Sequence, residues 1–344
     1  MRCAIVGSGL AALAGYATLR HGGIPAGDIA VYGTHEDPLE VWRGRASAIR
    51  QQRMRSESDG HLAAASFPGL ALREVARRGR LTALVETAAN RYHPRVEDFV
   101  AHAQRVAERS GWSASFVERR VEGVRAVDGG FELDGEGPFA HVLLATGHPG
   151  LERVPETVHA YEPHEYAAKV AVVGAGMAAA TEWLNALAAG AEVVSIRRRE
   201  PVRRPLNVPR PYFSKRGLAS FHRLPRDARA ATLEELSQPS YPAGPAWDIP
   251  LEQAMSTSQF RVSDTSLTPV GHQVIAATGF KRGWRHDPLL ADLVDTHALE
   301  THGRFIVLAP DSTVPALTDD RRTLSIAGVA GQWAFPASDT IAGA

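Results

Sequence analysis

Twice in this chain a short apolar strand runs into a glycine turn and out into a helix of small residues. From Cys3 to Gly15 the residues read CAIVGSGLAALAG, and from Val170 to Ala180 they read VAVVGAGMAAA. The turns are Gly7-Ser8-Gly9-Leu10-Ala11-Ala12 and Gly174-Ala175-Gly176-Met177-Ala178-Ala179, both fitting G-x-G-x-x-A. The first glycine permits a tight turn, the second lets backbone approach a pyrophosphate, and the small last residue lets helix pack on strand. Leu10, Leu13, Ala14, Ala17 and Leu19 then keep helical spacing until Gly22-Gly23, and a strand follows at Asp28 to Tyr32. The second copy repeats the course, with helix from Thr181 to Leu187, a stop at Gly190 and a strand from Ala191 to Ile196. Strand, turn, helix and strand in this order predict two dinucleotide-binding α/β units.

The copies differ after the second strand, where such units read the ribose. An acidic residue there takes the ribose hydroxyls, whereas arginine accommodates a 2′-phosphate. The second unit has Arg197-Arg198-Arg199, then Arg203 and Arg204, which assigns it to NADP(H) over NAD(H), since guanidinium forks bind phosphate bidentately. The first unit has Tyr32-Gly33-Thr34, with Glu36 and Asp37 beyond. Position 33 lacks the carboxylate, and Glu36 is the candidate to stand in for it.

At 344 residues the chain is long enough for two domains, and its 44% apolar and 22% charged residues are those of a soluble globular protein. Its formal net charge of zero recommends neither nucleic acid nor an anionic membrane as partner. Met1 runs straight into the first strand without a signal-peptide pattern, so a cytoplasmic location is expected. Cys3 is the only cysteine, which excludes an intrachain disulfide and a Cys-x-x-Cys redox pair. There is no nucleophile elbow, no H-E-x-x-H and no Cys/His cluster, and no metal site is expected.

Further segments set the units in order. HVLLATG (His141 to Gly147) and QVIAATG (Gln273 to Gly279) are strands running into Ala-Thr-Gly, and Val117 to Asp134 reads as a small antiparallel meander. Leu324 to Gly328 is a last strand, and Pro336 to Ala342 a short terminal helix. This succession resembles the two-dinucleotide-binding-domain flavoproteins. The resemblance implies an α/β fold of two Rossmann-like domains, the NADP domain inserted into a discontinuous FAD domain. It places FAD on 1–157 and 272–344, and NAD(P)H on 158–271. Its implied FAD contacts are Gly7 to Ala12, Glu36, Thr146, Gly147 and Gly328; its implied NADP contacts are Gly174 to Ala179, Arg197, Arg198, Thr278 and Gly279.

Four segments look like the flavin-dependent monooxygenases, including the Baeyer-Villiger and amine N-hydroxylating types. They are Trp42-Arg43, Met54-Arg55-Ser56, Tyr92 to Phe99 (YHPRVEDF) and Val158-His159-Ala160-Tyr161. The Phe-x-Gly that precedes the last in that family is absent, and the final strand ends in Gly328-Val329 where disulfide and ferredoxin reductases have Gly-Asp. The resemblance implies that NADPH reduces FAD, which reacts with O₂ to a C4a-(hydro)peroxide that oxygenates a small molecule. Trp42, Arg43, Met54 and Arg55 would then lie by the flavin, with Met54, Arg55 and Asp59 the flavin-proximal candidates for catalysis. His159 and His164 read as surface or interface histidines. The stretch 201–250, with nine prolines and one helix from Ala228 to Leu236, reads as a lid or a surface wrap carrying substrate specificity. An FAD-dependent NAD(P)H reductase passing electrons to a quinone or protein carrier, and a non-catalytic nucleotide sensor, stay open.

Overall fold

A computed structural model describes residues 2–54, 69–88, 92–204, 208–242, 245–263 and 269–340. The chain begins β1 (Cys3–Val6), α1 (Leu10–His21), β2 (Ile29–Gly33) and α2 (Glu40–Ala48). Helices α3 (Leu70–Arg78), α4 (Thr82–Ala88) and α5 (Val96–Ser110) follow, then β3 (Phe116–Glu118). Next come β4 (Val124–Val127), β5 (Gly130–Leu133), β6 (Glu136–Phe139) and β7 (His141–Leu144). The second half opens with β8 (Val158–His159), β9 (Lys169–Val173), α6 (Met177–Ala188) and β10 (Glu192–Ile196). It continues through β11 (Val202–Arg203), α7 (Lys215–His222), α8 (Arg226–Leu236), β12 (Ser240–Tyr241), α9 (Pro245–Ser256), β13 (Phe260–Ser263) and β14 (Gln273–Ala276). Helix α10 (Pro288–His297), the short β15 (Thr301–His302) and β16 (Phe305–Ile306), and β17 (Thr323–Ile326) complete it.

Two five-stranded parallel sheets result, ordered β17-β7-β1-β2-β3 and β13-β10-β9-β14-β8. Read from opposite edges they are the same sheet. In each the glycine-turn strand sits at the centre, between the Ala-Thr-Gly strand and the strand that ends at the ribose position. Central strands of a parallel sheet are covered on both faces, which is why CAIV and VAVV alternate no polar residue. Residues Cys3 to Val6 are all buried. On α1 the face of Ala12, Leu13, Tyr16 and Ala17 is buried, and on α6 Ala178 to Trp183 and Ala186. The first sheet draws strands from both ends of the chain, and the second lies between them in sequence.

Four expectations need correction. The boundary expected at 271/272 falls short of the sheet boundary, because β14 (Gln273–Ala276) pairs with β9 and β8 in the second sheet. The meander is β4-β5-β6, ending at Phe139; Phe116–Glu118 instead pairs parallel with β2, its Phe116 packing against the first core. The stretch 201–250 contains α7, α8 and the start of α9 where one helix was expected. Its prolines mask the pattern: Ser214 caps α7 by accepting from the Gly217 amide at 3.1 Å, and Pro225 stands at the N-cap of α8. Residues 336–340 form turns rather than a terminal helix, with Ser338 and Thr340 amides donating to the carbonyls three residues back.

Stretch 201–250 is anchored on both units. Tyr241 packs on Trp183 of α6 with ring centroids 5.7 Å apart, while Phe221 and Leu233 are buried in the first unit's core with Trp284 and Trp333. His222 Nε2 lies 2.6 Å from the Ala334 carbonyl, and Arg304 donates to Ser237 Oγ at 2.7 Å. No described helix is long and apolar enough to cross a membrane.

Candidate functional site

The carboxyl ends of parallel strands are where open α/β sheets bind ligands. At that edge of the first sheet Gly7 turns with φ +112°, and a Cβ placed on it would stand 2.2 Å from the Ala145 carbonyl oxygen. The second sheet repeats this with Gly174 at φ +140° and 2.4 Å from the Ala277 oxygen. The Gly7 amide donates to Tyr32 O at 2.8 Å and Ala145 N to Val6 O at 2.7 Å; Gly174 N donates to Ile196 O at 3.0 Å and Ala277 N to Val173 O at 2.8 Å. Each first glycine is therefore required where the Ala-Thr-Gly strand crowds the turn.

Gly9 and Gly176 are the N-caps of α1 and α6, with φ/ψ of −90/−166° and −89/−166°, and neither helix has a side-chain cap. The first-turn amides, those of Leu10, Ala11 and Ala12 in the first unit, are left for an anion. Ala12 and Ala179 are wholly buried at the closing position of each turn, and a Cβ placed on Gly328, just past the last strand, would stand 3.4 Å from the Ala11 methyl. Ala175, Met177 and Ala178 fill the second turn, with Ala175 and Ala178 buried. Around Gly9 no atom of the described residues lies within 4 Å of a placed Cβ, whereas Gly176 has Pro239 at 3.9 Å. The proline-rich stretch thus flanks the second turn.

The missing carboxylate at position 33 has a steric cause. A Cβ on Gly33 would stand 2.2 Å from Ser8 Oγ and 2.3 Å from Ser8 Cβ. Gly33→Ala is expected to destabilise the protein by about 2 kcal/mol, and Ser8→Gly in the same chain to return most of that loss. Thermal melts of the two single variants and the double variant check this; additive losses would refute the contact. Glu36 has an exposed side chain, and its carbonyl accepts from Trp112 Nε1 at 2.7 Å. Asp37 accepts from Arg43 Nη2 at 2.7 Å and from the Leu39 amide at 2.9 Å.

Segments far apart in sequence converge beside this turn. Trp42 stands edge-on to Phe99 with centroids 5.0 Å apart. Met54 is buried, its amide donating to Pro94 O at 2.8 Å and its carbonyl 3.1 Å from His93 Nδ1. Arg53 and Arg95 form an antiparallel bridge. Arg55, Ser56 and Asp59 lie outside the described residues.

Between the two sheets a stack of rings forms that the sequence reading missed. His148 lies 4.0 Å from Phe280 in a parallel stack, Tyr161 lies 5.1 Å from Phe280, and His159 lies 5.6 Å from Tyr161. Arg45, from α2, places its guanidinium 4.7 Å from the Phe280 centroid. His148 and Phe280 each follow an Ala-Thr-Gly, so an aromatic at the same position of both repeats was the available signal. Burial first, then Arg45 and Arg282, push the His148 imidazole down to about 4, so it is neutral near pH 7. Its Nδ1 is buried with no hydrogen-bond partner among the described residues, as is Thr146 Oγ1.

The two chain crossings between the units meet behind the stack. Leu151 and Phe280 form an antiparallel bridge, Glu152 N donates to Gly279 O at 3.0 Å, and Lys281 N donates to Gly150 O at 3.0 Å. Thr278 Oγ1 donates to the Glu152 carbonyl, and His159 Nε2 lies 3.1 Å from Gly279 O. Gly147 and Gly279 turn with φ of +75° and +82°. His159 is buried rather than on the surface, and His164 is half-buried with its side chain only 3% exposed; His164 Nε2 lies 2.9 Å from the buried Glu182 carboxylate, which holds the imidazole above its usual range. Gly147, Arg282, Arg304, Val329 and Gln332 line a small crevice of about 30 Å³ at the first sheet's edge. Burial pushes the Asp339 carboxyl up, against the opposing pull of Arg282 and Arg304.

At the ribose position of the second unit the three arginines part company. Arg197 is only 12% exposed, pairing with Glu200 at 2.8 Å and lying 5.7 Å from the Trp183 ring. Arg198 and Arg199 are exposed. Among the described residues, no group of three or more His, Cys, Asp or Glu could hold a metal ion.

No known family profile matches this chain, and no curated protein does. Solved structures do. The ornithine N-hydroxylase of a Kutzneria species, described with reduced FAD, NADP+ and L-ornithine, superposes at a TM-score of 0.70 with 15% identity, over 99% of this chain and 95% of its own. The ornithine hydroxylase of Pseudomonas aeruginosa gives 0.66 and 16%, over 99% and 95%. The bacillithiol disulfide reductase of Staphylococcus aureus gives 0.55 and 11%, over 96% and 90%. The chain shares the α/β fold of these solved structures over nearly its whole length.

Proposed function

We propose that this chain is an FAD-dependent oxidoreductase that draws electrons from NADPH and oxygenates a small molecule. The observation that carries this reading is the duplicated cradle, two glycine turns of one geometry opening on either side of one ring stack. FAD, when bound, would supply two-electron transfer from NADPH and the activation of O₂. The first cradle fits it: Gly9 leaves room for a pyrophosphate, the amides of Leu10, Ala11 and Ala12 face it, and the buried Thr146 hydroxyl lacks a protein partner. Gly7, Ser8, Gly147 and Gly328 complete its wall, and Trp42, Arg43 and Met54 support it from the side. Residues 1–157 and those after 279 serve this cofactor, and residues 158–279 serve NADPH.

The second cradle, Gly174 to Ala179, takes the nicotinamide nucleotide, with Thr278 and Gly279 at its rim. Arg198 and Arg199 reach the 2′-phosphate, and Arg197, held by Glu200, frames them. Replacing Arg198 and Arg199 with Ala is expected to raise the KM for NADPH about ten-fold or more while leaving NADH within about two-fold, the size of a lost charged hydrogen bond. Equal losses with both nucleotides would refute the assignment. His148, Phe280 and Tyr161 wall the junction of the cradles and exclude water from it, and neutral His148 adds no charge there. A dithiol route has no support, since Cys3 is the one cysteine and is buried in β1.

Purified protein is expected to be yellow and to oxidise NADPH with uptake of O₂. With its substrate, one oxygen atom from ¹⁸O₂ should enter the product. NADPH oxidation that tracks a reduced quinone and ignores O₂ would replace the monooxygenase reading with a reductase. Colourless protein that cannot be reconstituted with FAD would leave only a nucleotide sensor.

A further inference from the structure

We propose that a cleft among α1, α3 and α5, on the far side of the first unit, is a binding site for a small phosphate-bearing anion. Its cavity measures about 230 Å³ and is lined by Arg20, Arg73, His102, Arg105 and Arg109, with no carboxylate in the lining among the described residues. Drug-sized ligands occupy pockets of roughly 300–1,000 Å³, so this one suits a compact group such as a phosphate or pyrophosphate.

Three helices supply the four guanidiniums. Arg105 and Arg109 stand four residues apart on α5, a spacing at which like charges repel. Neither forms an ion pair among the described residues. Nearby arginines do pair with carboxylates, Arg78 with Asp98 and Arg80 with Glu74. Arg20 is fixed in place, its Nε donating to Ser110 O at 2.8 Å and its Nη1 to Ile24 O at 2.6 Å. Burial and then the neighbouring arginines push the Arg73 and Arg105 guanidiniums below their ordinary range.

Charge neutralisation by helix ends does not account for the cluster. Both α1 and α5 end here, and each C-terminus carries about −0.5 of an elementary charge. Together they offset about one positive charge, which leaves Arg105 and Arg109 in excess even with Glu108 and Asp98 acting on Arg105 from outside the cleft lining. The surplus has the form of forks that bind phosphate oxygens bidentately. The cleft lies at the opposite end of α1 from Gly9, about 16 Å along the helix by its rise per residue. It is a separate place, and its residues take no part in the flavin reading; the test borrows that reading only to fill the two cradles.

The test titrates the FAD-loaded full chain with inorganic pyrophosphate at constant ionic strength, with NADP+ saturating so that the nucleotide cradles are closed. Calorimetry should give saturable binding at one site, and Arg105→Gln and Arg109→Gln should each weaken it about ten-fold or more. Should Arg105→Gln not fold, Arg105→Lys keeps the charge, loses the fork and should still bind more weakly. Absence of saturable binding, or binding untouched by these variants, overturns the proposal. So does sedimentation with vesicles containing phosphatidylserine when free pyrophosphate does not bind, which would make the patch a membrane contact.

Discussion

Gly7→Ala is expected to cost the protein about 3 kcal/mol or more and to lower its melting temperature with or without flavin. The added methyl would meet a backbone oxygen 2.2 Å away, which no side-chain rotation can clear, and φ of +112° is strained for any residue with a Cβ. Gly9→Ala is the informative contrast. Its methyl meets no atom of the described residues within 4 Å, so the melting temperature of the flavin-free protein should barely change, while flavin retention should fall sharply as the methyl enters the pyrophosphate's path. Melts of the flavin-free chains and flavin content after gel filtration separate the two effects. Loss of stability without loss of flavin in Gly9→Ala would refute the cradle. Gly174→Ala should behave as Gly7→Ala does but disturb the second unit, leaving flavin content near that of the unaltered chain.

A second large effect is expected on acidification. His148 sits at about 4 in the folded chain against about 6.5 for a free imidazole. Between those values the unfolded chain binds the extra proton, so stability rises with pH across this window and falls as pH drops through it. The full difference, present by about pH 4, is about 3 kcal/mol at most. His148→Phe keeps a ring against Phe280 and removes the titrating group. Chemical denaturation at pH 7 and pH 4.5 should therefore show a much smaller acid loss in His148→Phe than in the unaltered chain. An identical loss in both would place the acid sensitivity elsewhere.

What the sequence made legible were features set by neighbours in the chain. The glycine turns are such features, because Gly7, Gly9 and Ala12 meet their steric demands within one strand-turn-helix. The doubled order of strands was legible too, and it carried the fold. Contacts between remote segments were not: His148 meets Phe280 across 131 intervening residues, and the only mark of it is their shared place after Ala-Thr-Gly, which does not say that the two rings touch. The depth of His164 escaped notice because its partner Glu182 sits within the small-residue helix after the second turn. Three-residue β3 was too short for its period to distinguish a parallel edge strand from a meander. The helices between prolines 209 and 250 were hidden by composition, since proline at an N-cap looks the same in sequence as proline in a loop.

The bridge between Leu151 and Phe280 bears on how far the two units can be separated. The two crossings between the sheets meet there at one point, as though the second unit could be lifted out by a single cut. Phe221 and Leu233, which lie between β10 and β13, are nevertheless buried in one core with Trp333 and with strands of the first sheet. Cutting at the bridge would therefore strip both pieces of shared apolar cover, and each half leans on the other for its dry interior.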